Sequence, residues 1–537
     1  MHPSDQTPPS RPDADRHRDA GSPGSHTTGA AIGHTLPSPF EEDAPTPDPG
    51  TPASRLVALV AATLLAVAAI VWQHLPEDTR LRSLGLTPPP PSQTGPVIPL
   101  LEPTSIYGRM AVKLGPIFAS DPTAPAQFTE MMDSAAFTVE DRVAGAVVLG
   151  ELKTPRDAAD ALRDLRAEVE TAGASPPDDD PQGLPGAIST RDEILRDLDD
   201  FRTVYVAGSD ALDPQAASRL RTRYAFFAEV ALTHDAPEGT PERREPRSGG
   251  AVILVGMLAF AALAFFAFVA GCVLLVLGLL RYVPKREVPS FVPPAPGGSV
   301  MLETYALFVG GFVLVSTVGT VLSVKKPELA VIALPLQFAL MGVVAWPLLR
   351  GMKPAAWRRA MGLTAGAPGP VGVLKEIGFG FLAYLAAIPV FVAGIIVTLV
   401  LLFASELLRG PGDGPVEPPS NPIVDMVASG DWLVIALLAV MATIWAPITE
   451  ELVFRGALYR HVRARLHWTL AALLTTCLFA FMHGYPFIMM TPLLALGVMF
   501  AIMREIRGSV IAAITAHFIH NATLITVMVV VIRPMLS

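Results

Sequence analysis

The chain has 537 residues, of which 51% are hydrophobic and 17% charged, and its formal net charge is −9. The apolar residues fall in long uncharged blocks, which excludes an ordinary soluble globular protein, and the absence of a clustered basic patch excludes a nucleic-acid footprint. Both cysteines, Cys272 and Cys477, lie inside apolar blocks, which excludes a disulfide framework and a Cys-based zinc site.

The N-terminal elements are a tail, an anchor and a stalk. Residues 1–54 are rich in Pro, Asp, Ser, Thr and Gly, a composition typical of a disordered tail. The apolar run from Leu56 to Trp72 predicts a transmembrane anchor over residues 55–75, because no small-residue cleavage pattern follows it. Residues 76–104 predict a Pro-rich stalk, which should be semi-extended from Pro88 to Pro103.

Residues 105–235 have a soluble composition with helical periodicity, as in Val139–Leu152 and Pro155–Thr171. This pattern predicts a small extramembrane α-helical domain. The segment Arg142–Glu168 resembles a helical-hairpin repeat, although a spacer domain is the preferred interpretation of one loose match.

Residues 236–300 predict a linker and a span over Gly250–Leu280 that ends in a basic cluster including Arg281. The excess of positive charge places that end of the span in the cytoplasm, together with the N-terminus. The helical domain is then expected on the opposite side of the membrane. The Ala-, Arg- and Pro-rich composition indicates a bacterial cytoplasmic (inner) membrane.

Residues 301–537 predict a helical membrane bundle. Its apolar segments are Leu302–Val324, Leu329–Leu349, Ile377–Phe403, Leu433–Leu458, Trp468–His483, Ile488–Met503 and Val510–Ile532. The predicted fold class is therefore an all-α polytopic transmembrane bundle of about nine spans with an inserted small α-helical extramembrane domain and a disordered N-terminal tail.

Ionisable side chains inside a membrane are costly and indicate function or a partner. Glu451 and Arg455 stand four residues apart with the acid first, the favourable order for an ion pair on one helix face. Glu450 is rotated by about 100° and is left free to act as a general base. The alternative is a salt-bridge cluster that only fixes the depth of the helix.

The following spans add more polar side chains. His483 shares a helix face with Phe479, and His517 shares one with Asn521. Convergent polar groups on separate spans indicate a site rather than isolated hydrogen bonds between helices. His520 is expected to pack against another helix, and a place in the same cavity is the alternative.

These residue types allow two chemistries. In the first, Glu450 and His483 activate a water molecule, and His517 and Asn521 stabilise the oxyanion. In the second, His483, His517 and a glutamate, assigned here as Glu451, bind zinc or another divalent metal. The absence of a His-Glu-x-x-His motif disfavours an ordinary zinc peptidase, but the residues leave both chemistries open.

The three motifs resemble one known family. They are Glu450-Glu451-x-x-x-Arg455, Phe479-x-x-x-His483 and His517-x-x-x-Asn521, in this order on separate spans. Together they resemble the CAAX prenyl endopeptidase and bacteriocin-processing family of intramembrane proteases over residues 421–532. The segment Met361-Gly-Leu363 is similar to the usual lead-in of that family.

The resemblance implies roles for these residues. Glu450 and His483 would activate water, His517 and Asn521 would form the oxyanion site, and Glu451 and Arg455 would support the geometry. Members of the family are variously described as metal-dependent or glutamate-based, so a metal-free mechanism stays open.

The sequence thus predicts an intramembrane endopeptidase with membrane lipid and a membrane-associated protein or peptide as partners, and no nucleic acid; it does not fix the oligomeric state. The first alternative is a non-catalytic scaffold or bacteriocin-immunity-type protein with the same polar pocket, since the N-terminal half lies outside the resemblance. A proton-coupled transporter would need charges on more spans and internal symmetry, and the sequence shows neither.

Overall fold

A computed structural model of the chain describes residues 46–87, 97–98, 102–136, 138–172, 190–285, 290–326, 329, 332–366, 369–408, 427 and 431–536. These residues are mainly helical. Within the described ranges there is no strand beyond an isolated β-bridge between Pro47 and Ala295. The predicted all-α class is confirmed.

The first part of the chain contains an apolar helix followed by a series of shorter helices. They are α1 (Pro52–His74), α2 (Glu77–Ser83), α3 (Pro103–Leu114), α4 (Ala124–Ala135), α5 (Val139–Leu152), α6 (Pro155–Ala172), α7 (Arg191–Ala207), α8 (Pro214–Tyr224), α9 (Phe226–Leu232) and α10 (Pro241–Arg244). Helices from α3 to α9 share a core in which Val143, Leu162, Phe201 and Phe227 are fully or almost fully buried. They form a helical domain with its own apolar core.

The second part contains most of the apolar helices. They are α11 (Gly250–Lys285), α12 (Val300–Lys325), α13 (Pro335–Leu349), α14 (Pro354–Met361), α15 (Gly369–Leu407), α16 (Trp432–Arg463), α17 (Trp468–Phe481), α18 (Thr491–Arg507) and α19 (Ile511–Leu536). Among the described residues, seven helices are long and apolar enough to cross a membrane, and α13 and α17 are shorter apolar helices. Every segment predicted from hydropathy corresponds to one of these helices, so the predicted bundle is confirmed.

The end of the predicted tail is bound to the membrane part of the protein. Arg460 donates to both carboxylate oxygens of Asp48, at 3.0 and 2.9 Å. Thr51 caps α1, and the Ser54 hydroxyl lies 2.8 Å from that of Ser299. Local composition could not reveal these contacts because the partners are distant in the sequence; residues 1–45 lie outside the described residues.

The predicted stalk is described only in part. Its first residues, which precede the stretch predicted as semi-extended, form the helix α2. The proline run Pro88–Pro91 lies outside the described residues. Between Glu77 and Arg80, two acidic residues at the start of α2 are followed by a basic residue about one turn later. This order of charges favours a short helix.

The helical domain contacts the ends of two membrane helices. Leu114 of α3, Ile253 of α11 and Met535 of α19 form one buried apolar cluster. Beside it, Lys113 is only 2% exposed and its Nζ donates to the Ser248 carbonyl at 3.2 Å. The interface therefore encloses a lysine whose charged form is poorly solvated.

Raising the pH should strengthen this interface. Burial, aided by the nearby charge of Arg109, lowers the pKa of Lys113 from 10.5 to about 8. Between these values the folded protein has released the proton while the unfolded chain still binds it, so stability rises with pH across that window. We expect the thermal midpoint in detergent to rise from pH 7.5 to 9.5. Lys113→Met should flatten this rise, and an equal rise in the variant would contradict the assignment.

Candidate functional site

The helix that carries Glu450 and Glu451 is irregular on both sides of them. Within α16, the segments Met441–Trp445 and Leu452–Leu458 are π-helical. A π-helical turn displaces the regular hydrogen-bond ladder and is frequent at functional sites. Sequence periodicity does not reveal such turns.

Side chains from other helices hydrogen-bond to carbonyls of these π segments. Asn521 Nδ2 donates to the Ala442 carbonyl at 2.8 Å, and Arg504 Nε donates to the Arg455 carbonyl at 3.3 Å. The irregular helix is therefore held by polar contacts from α18 and α19.

Glu451, Arg455 and His517 form a buried polar network. Glu451 is 0% exposed and Arg455 1% exposed. Glu451 Oε1 accepts from Arg455 Nη1 at 2.9 Å and from His517 Nδ1 at 3.0 Å. The ion pair has the predicted four-residue spacing, and His517 joins it from the last helix.

Glu450 lies beside this network and is more accessible. Its side chain is 19% exposed, and its Oε2 lies 3.9 Å from His517 Nε2. The rotation of Glu450 away from the Glu451–Arg455 pair agrees with the helical geometry. The two adjacent carboxylates thus face the same imidazole ring through different nitrogens.

His483 follows the short helix α17. Its Nδ1 donates to the Phe479 carbonyl at 2.8 Å, and the ring centroids of these residues are 4.7 Å apart. The Phe479 ring also lies 6.1 Å from the His517 ring, edge to face. Phe479 therefore contacts both histidines that we predicted as site residues.

The length of α17 explains how His483 reaches the depth of the glutamates. With 14 residues, α17 is about 21 Å long, shorter than the ~30 Å hydrocarbon core of a membrane. A helix of this length is too short to cross that core along the membrane normal. Simple alternation of full spans would instead place His483 at the opposite face from Glu450.

Asn521 and His520 lie on α19 with His517 but have different partners. Asn521 is engaged by the Ala442 carbonyl through one N–H, and its amide has a second N–H. The His520 ring lies 5.1 Å from the Phe391 ring and 6.1 Å from the Tyr384 ring, both of α15. His520 therefore packs against a neighbouring helix, the interpretation that the sequence favoured.

Helix α18 supplies residues that the motifs do not contain. The Gly497 carbonyl accepts from Arg455 Nη2 at 3.2 Å, and the Phe500 ring stacks on His517 at 5.2 Å. A Cβ on Gly497 would lie 2.6 Å from Thr476 Cγ2, so this close packing requires glycine. The sequence did not indicate that Gly497 and Phe500 belong to the site, because small and apolar residues are common in an apolar span.

Arg504 connects the lead-in segment to the site. It is 1% exposed and donates from Nη2 to the Ala360 carbonyl at 3.1 Å, besides its bonds to the carbonyls of Arg455 and Gly508. Gly362 has a φ of 77° beside the Arg504 guanidinium, and a Cβ there would collide with it. The available signal in the sequence was an arginine directly after the apolar segment that ends at Met503.

The predicted metal ligands do not form a cluster that could bind a metal ion among the described residues. In the parts of the chain that the structure describes, no group of three or more His, Cys, Asp and Glu side chains could hold a metal ion. Glu451, the glutamate assigned to the metal, is bound to Arg455 and His517 instead. Its Oε2 is buried without a hydrogen-bond partner among the described residues. As placed, Glu451 would have to leave Arg455 and His517 before it could bind a metal.

Comparison with known families gives one match. Residues 432–523 match the family described as "Type II CAAX prenyl endopeptidase Rce1-like". Comparison with curated proteins and with solved structures gave no match. The matched range begins at the first residue of α16 and includes Glu450, His483, His517 and Asn521. Residues 432–523, which carry these four predicted site residues, are therefore similar to the Rce1-like family of type II CAAX prenyl endopeptidases.

Proposed function

We propose that the protein is an intramembrane endopeptidase that cleaves a membrane-associated protein or peptide. The observation that carries this proposal is the pair of adjacent glutamates with different environments around one histidine. Glu451 is buried and ion-paired, whereas Glu450 is partly exposed and lies 3.9 Å from the same imidazole. Such a division separates a positioning carboxylate from one that can exchange protons.

The proposed reaction starts with a water molecule held by Glu450 and His483. Because His483 Nδ1 donates to a backbone carbonyl, its Nε2 is free to accept a proton or a hydrogen bond. Glu450 takes a proton from the water, and the water oxygen bonds to the peptide carbonyl carbon. Glu450 then returns the proton to the leaving amine as the C–N bond breaks.

The oxyanion of the intermediate needs donors on the opposite side. Asn521 can supply its second N–H. His517 donates through Nε2 only when the ring carries both protons, because its Nδ1–H is already directed to Glu451. The proposed oxyanion role therefore requires a doubly protonated His517, balanced by the Glu451 carboxylate.

A divalent metal is a separate proposal. A bound zinc would polarise the carbonyl and activate water, and His483 and His517 have the ring nitrogens to bind it. Binding through Glu451 would require this side chain to leave Arg455. We further propose that the helical domain lies on the non-cytoplasmic side of a bacterial inner membrane, with lipid around the exposed faces of the bundle.

The test is cleavage of synthetic single-span membrane peptides by the purified protein in detergent, with products identified by mass spectrometry. His517→Ala should lower cleavage by about 100-fold or more, because it removes an oxyanion donor and the partner of both glutamates. His520→Ala on the same helix is the matched control and should keep most of the activity. Each form is assayed with and without a chelator.

Equal loss in the two histidine variants would count against the site, and loss only with chelator would support the metal chemistry. No cleavage by any form, with both variants functional in cells that depend on the protein, would favour a non-catalytic scaffold that keeps the same polar pocket.

A further inference from the structure

We propose that the extramembrane helical domain positions the site by holding the far end of α19, with Arg109 as the positioning residue. This inference rests on the proposed peptidase function. It assigns a role to the domain that lies outside the family match. The role is mechanical: the domain contacts the helix that carries His517 and Asn521, not the reacting atoms.

The contact is a buried cation on the end of a helix. Arg109 is 6% exposed, and its Nη1 donates to the Leu536 carbonyl at 2.6 Å. Its guanidinium lies 4.4 Å from the centroid of the Phe226 ring. A cation at a helix C-terminus also interacts favourably with the helix dipole. Arg109 therefore binds both a core aromatic residue of the domain and the last turn of α19.

The contact can act over distance because α19 is continuous. From Asn521 to Leu536 the helix extends about 22 Å at 1.5 Å per residue. Met528–Ile532, between these points, is π-helical, and such turns accommodate shifts in helical register. A displacement or rotation at Leu536 is thus passed to Asn521 and His517, or is absorbed by the π segment.

The same end of α19 also contacts the helix of the glutamates. The Arg533 guanidinium lies 3.8 Å from the centroid of the ring of Trp432, the first residue of α16. This geometry is a cation–π contact. The docked end of α19 is therefore linked to both helices whose relative position sets the distance between Glu450 and His517.

The backbone next to Phe226 adopts a strained conformation. Ala225 has a φ of 45°, a positive value found at no other non-glycine residue of the described ranges. Such a conformation persists only where the surroundings impose it. The break between α8 and α9 at Ala225 directs Phe226 toward Arg109.

The experiment compares wild type, Arg109→Gln, Arg109→Lys and Arg142→Gln. Arg142 lies in the same domain in an exposed ion pair with Glu168 and serves as the matched control. The readouts are kcat and KM for the most rapidly cleaved membrane peptide, and hydrogen–deuterium exchange over residues 511–536. Thermal midpoints verify that each form is folded.

Arg109→Gln should lower kcat by roughly tenfold or more with KM nearly unchanged, because small displacements of catalytic groups are costly. It should also raise exchange in α19, whereas Arg109→Lys should recover much of both and Arg142→Gln should change neither. Wild-type kcat and exchange in Arg109→Gln, or equal losses in Arg142→Gln, would overturn the proposal. If no form cleaves peptide, the exchange result alone still decides the coupling, while the peptidase function fails.

Discussion

Replacing Glu450 with Gln is expected to lower the rate of peptide cleavage by about 10²–10⁴-fold, the usual contribution of a general base. The amide keeps the size of the side chain but cannot take a proton from water. Stability should change little, because the Glu450 side chain is partly exposed and has only a 3.9 Å contact with His517 among the ion pairs described.

The measurement is a steady-state cleavage assay combined with a thermal midpoint for each form. Thr449→Val is the matched control: it alters the preceding residue, whose buried hydroxyl has no hydrogen-bond partner among the described side chains and backbone. This variant should cleave at the wild-type rate. Glu450→Gln with undiminished cleavage would remove Glu450 from the mechanism and leave Glu451 or a metal-bound water as the base to test.

Local sequence rules were sufficient for the helices and for pairs on one helix. Long apolar runs predicted every membrane helix in the described part of the chain, because burying the backbone in lipid leaves few alternatives to a helix. The four-residue spacing predicted the Glu451–Arg455 ion pair. The partners that come from other helices were not predictable. No local pattern indicates that His517 hydrogen-bonds to Glu451, 66 positions away in the sequence.

The remaining differences arise from contacts between distant segments. Asp48 and Thr51 lie in a segment whose composition is typical of disorder. Asp48 nevertheless accepts hydrogen bonds from Arg460, and Thr51 caps the start of α1. Likewise, the π segments of α16 depend on Asn521 and Arg504, which lie on other helices. A period of 3.6 residues predicts a regular helix and cannot indicate where tertiary contacts will widen it.

Arg455→Met is expected to destabilise the protein by about 3–5 kcal/mol, because it leaves the fully buried Glu451 carboxylate without its cation. Methionine retains an apolar side chain of similar length beside the Phe479 and Phe500 rings, over which the guanidinium lies at 4.5 and 5.3 Å. The loss therefore reports mainly the unpaired charge. It is measured as the free energy of unfolding in mixed micelles.

A second substitution separates the charge from the packing. In the double variant Glu451→Gln with Arg455→Met the buried carboxylate and its guanidinium partner are removed together, and Gln can still accept from His517 Nδ1, so most of the lost stability should return while cleavage stays low. Arg142→Met is the control for removing an arginine from an exposed pair: the side chains of Arg142 and Glu168 are 44% and 58% exposed. Its cost should be about 1 kcal/mol or less. If Arg455→Met cost no more than Arg142→Met, or if the double variant were no more stable than Arg455→Met, Glu451 would not be a carboxylate held charged by Arg455. The proposed roles of the two glutamates would then lose their support. They assume that Glu451 stays charged and fixed by Arg455, so that Glu450 is the carboxylate that transfers the proton.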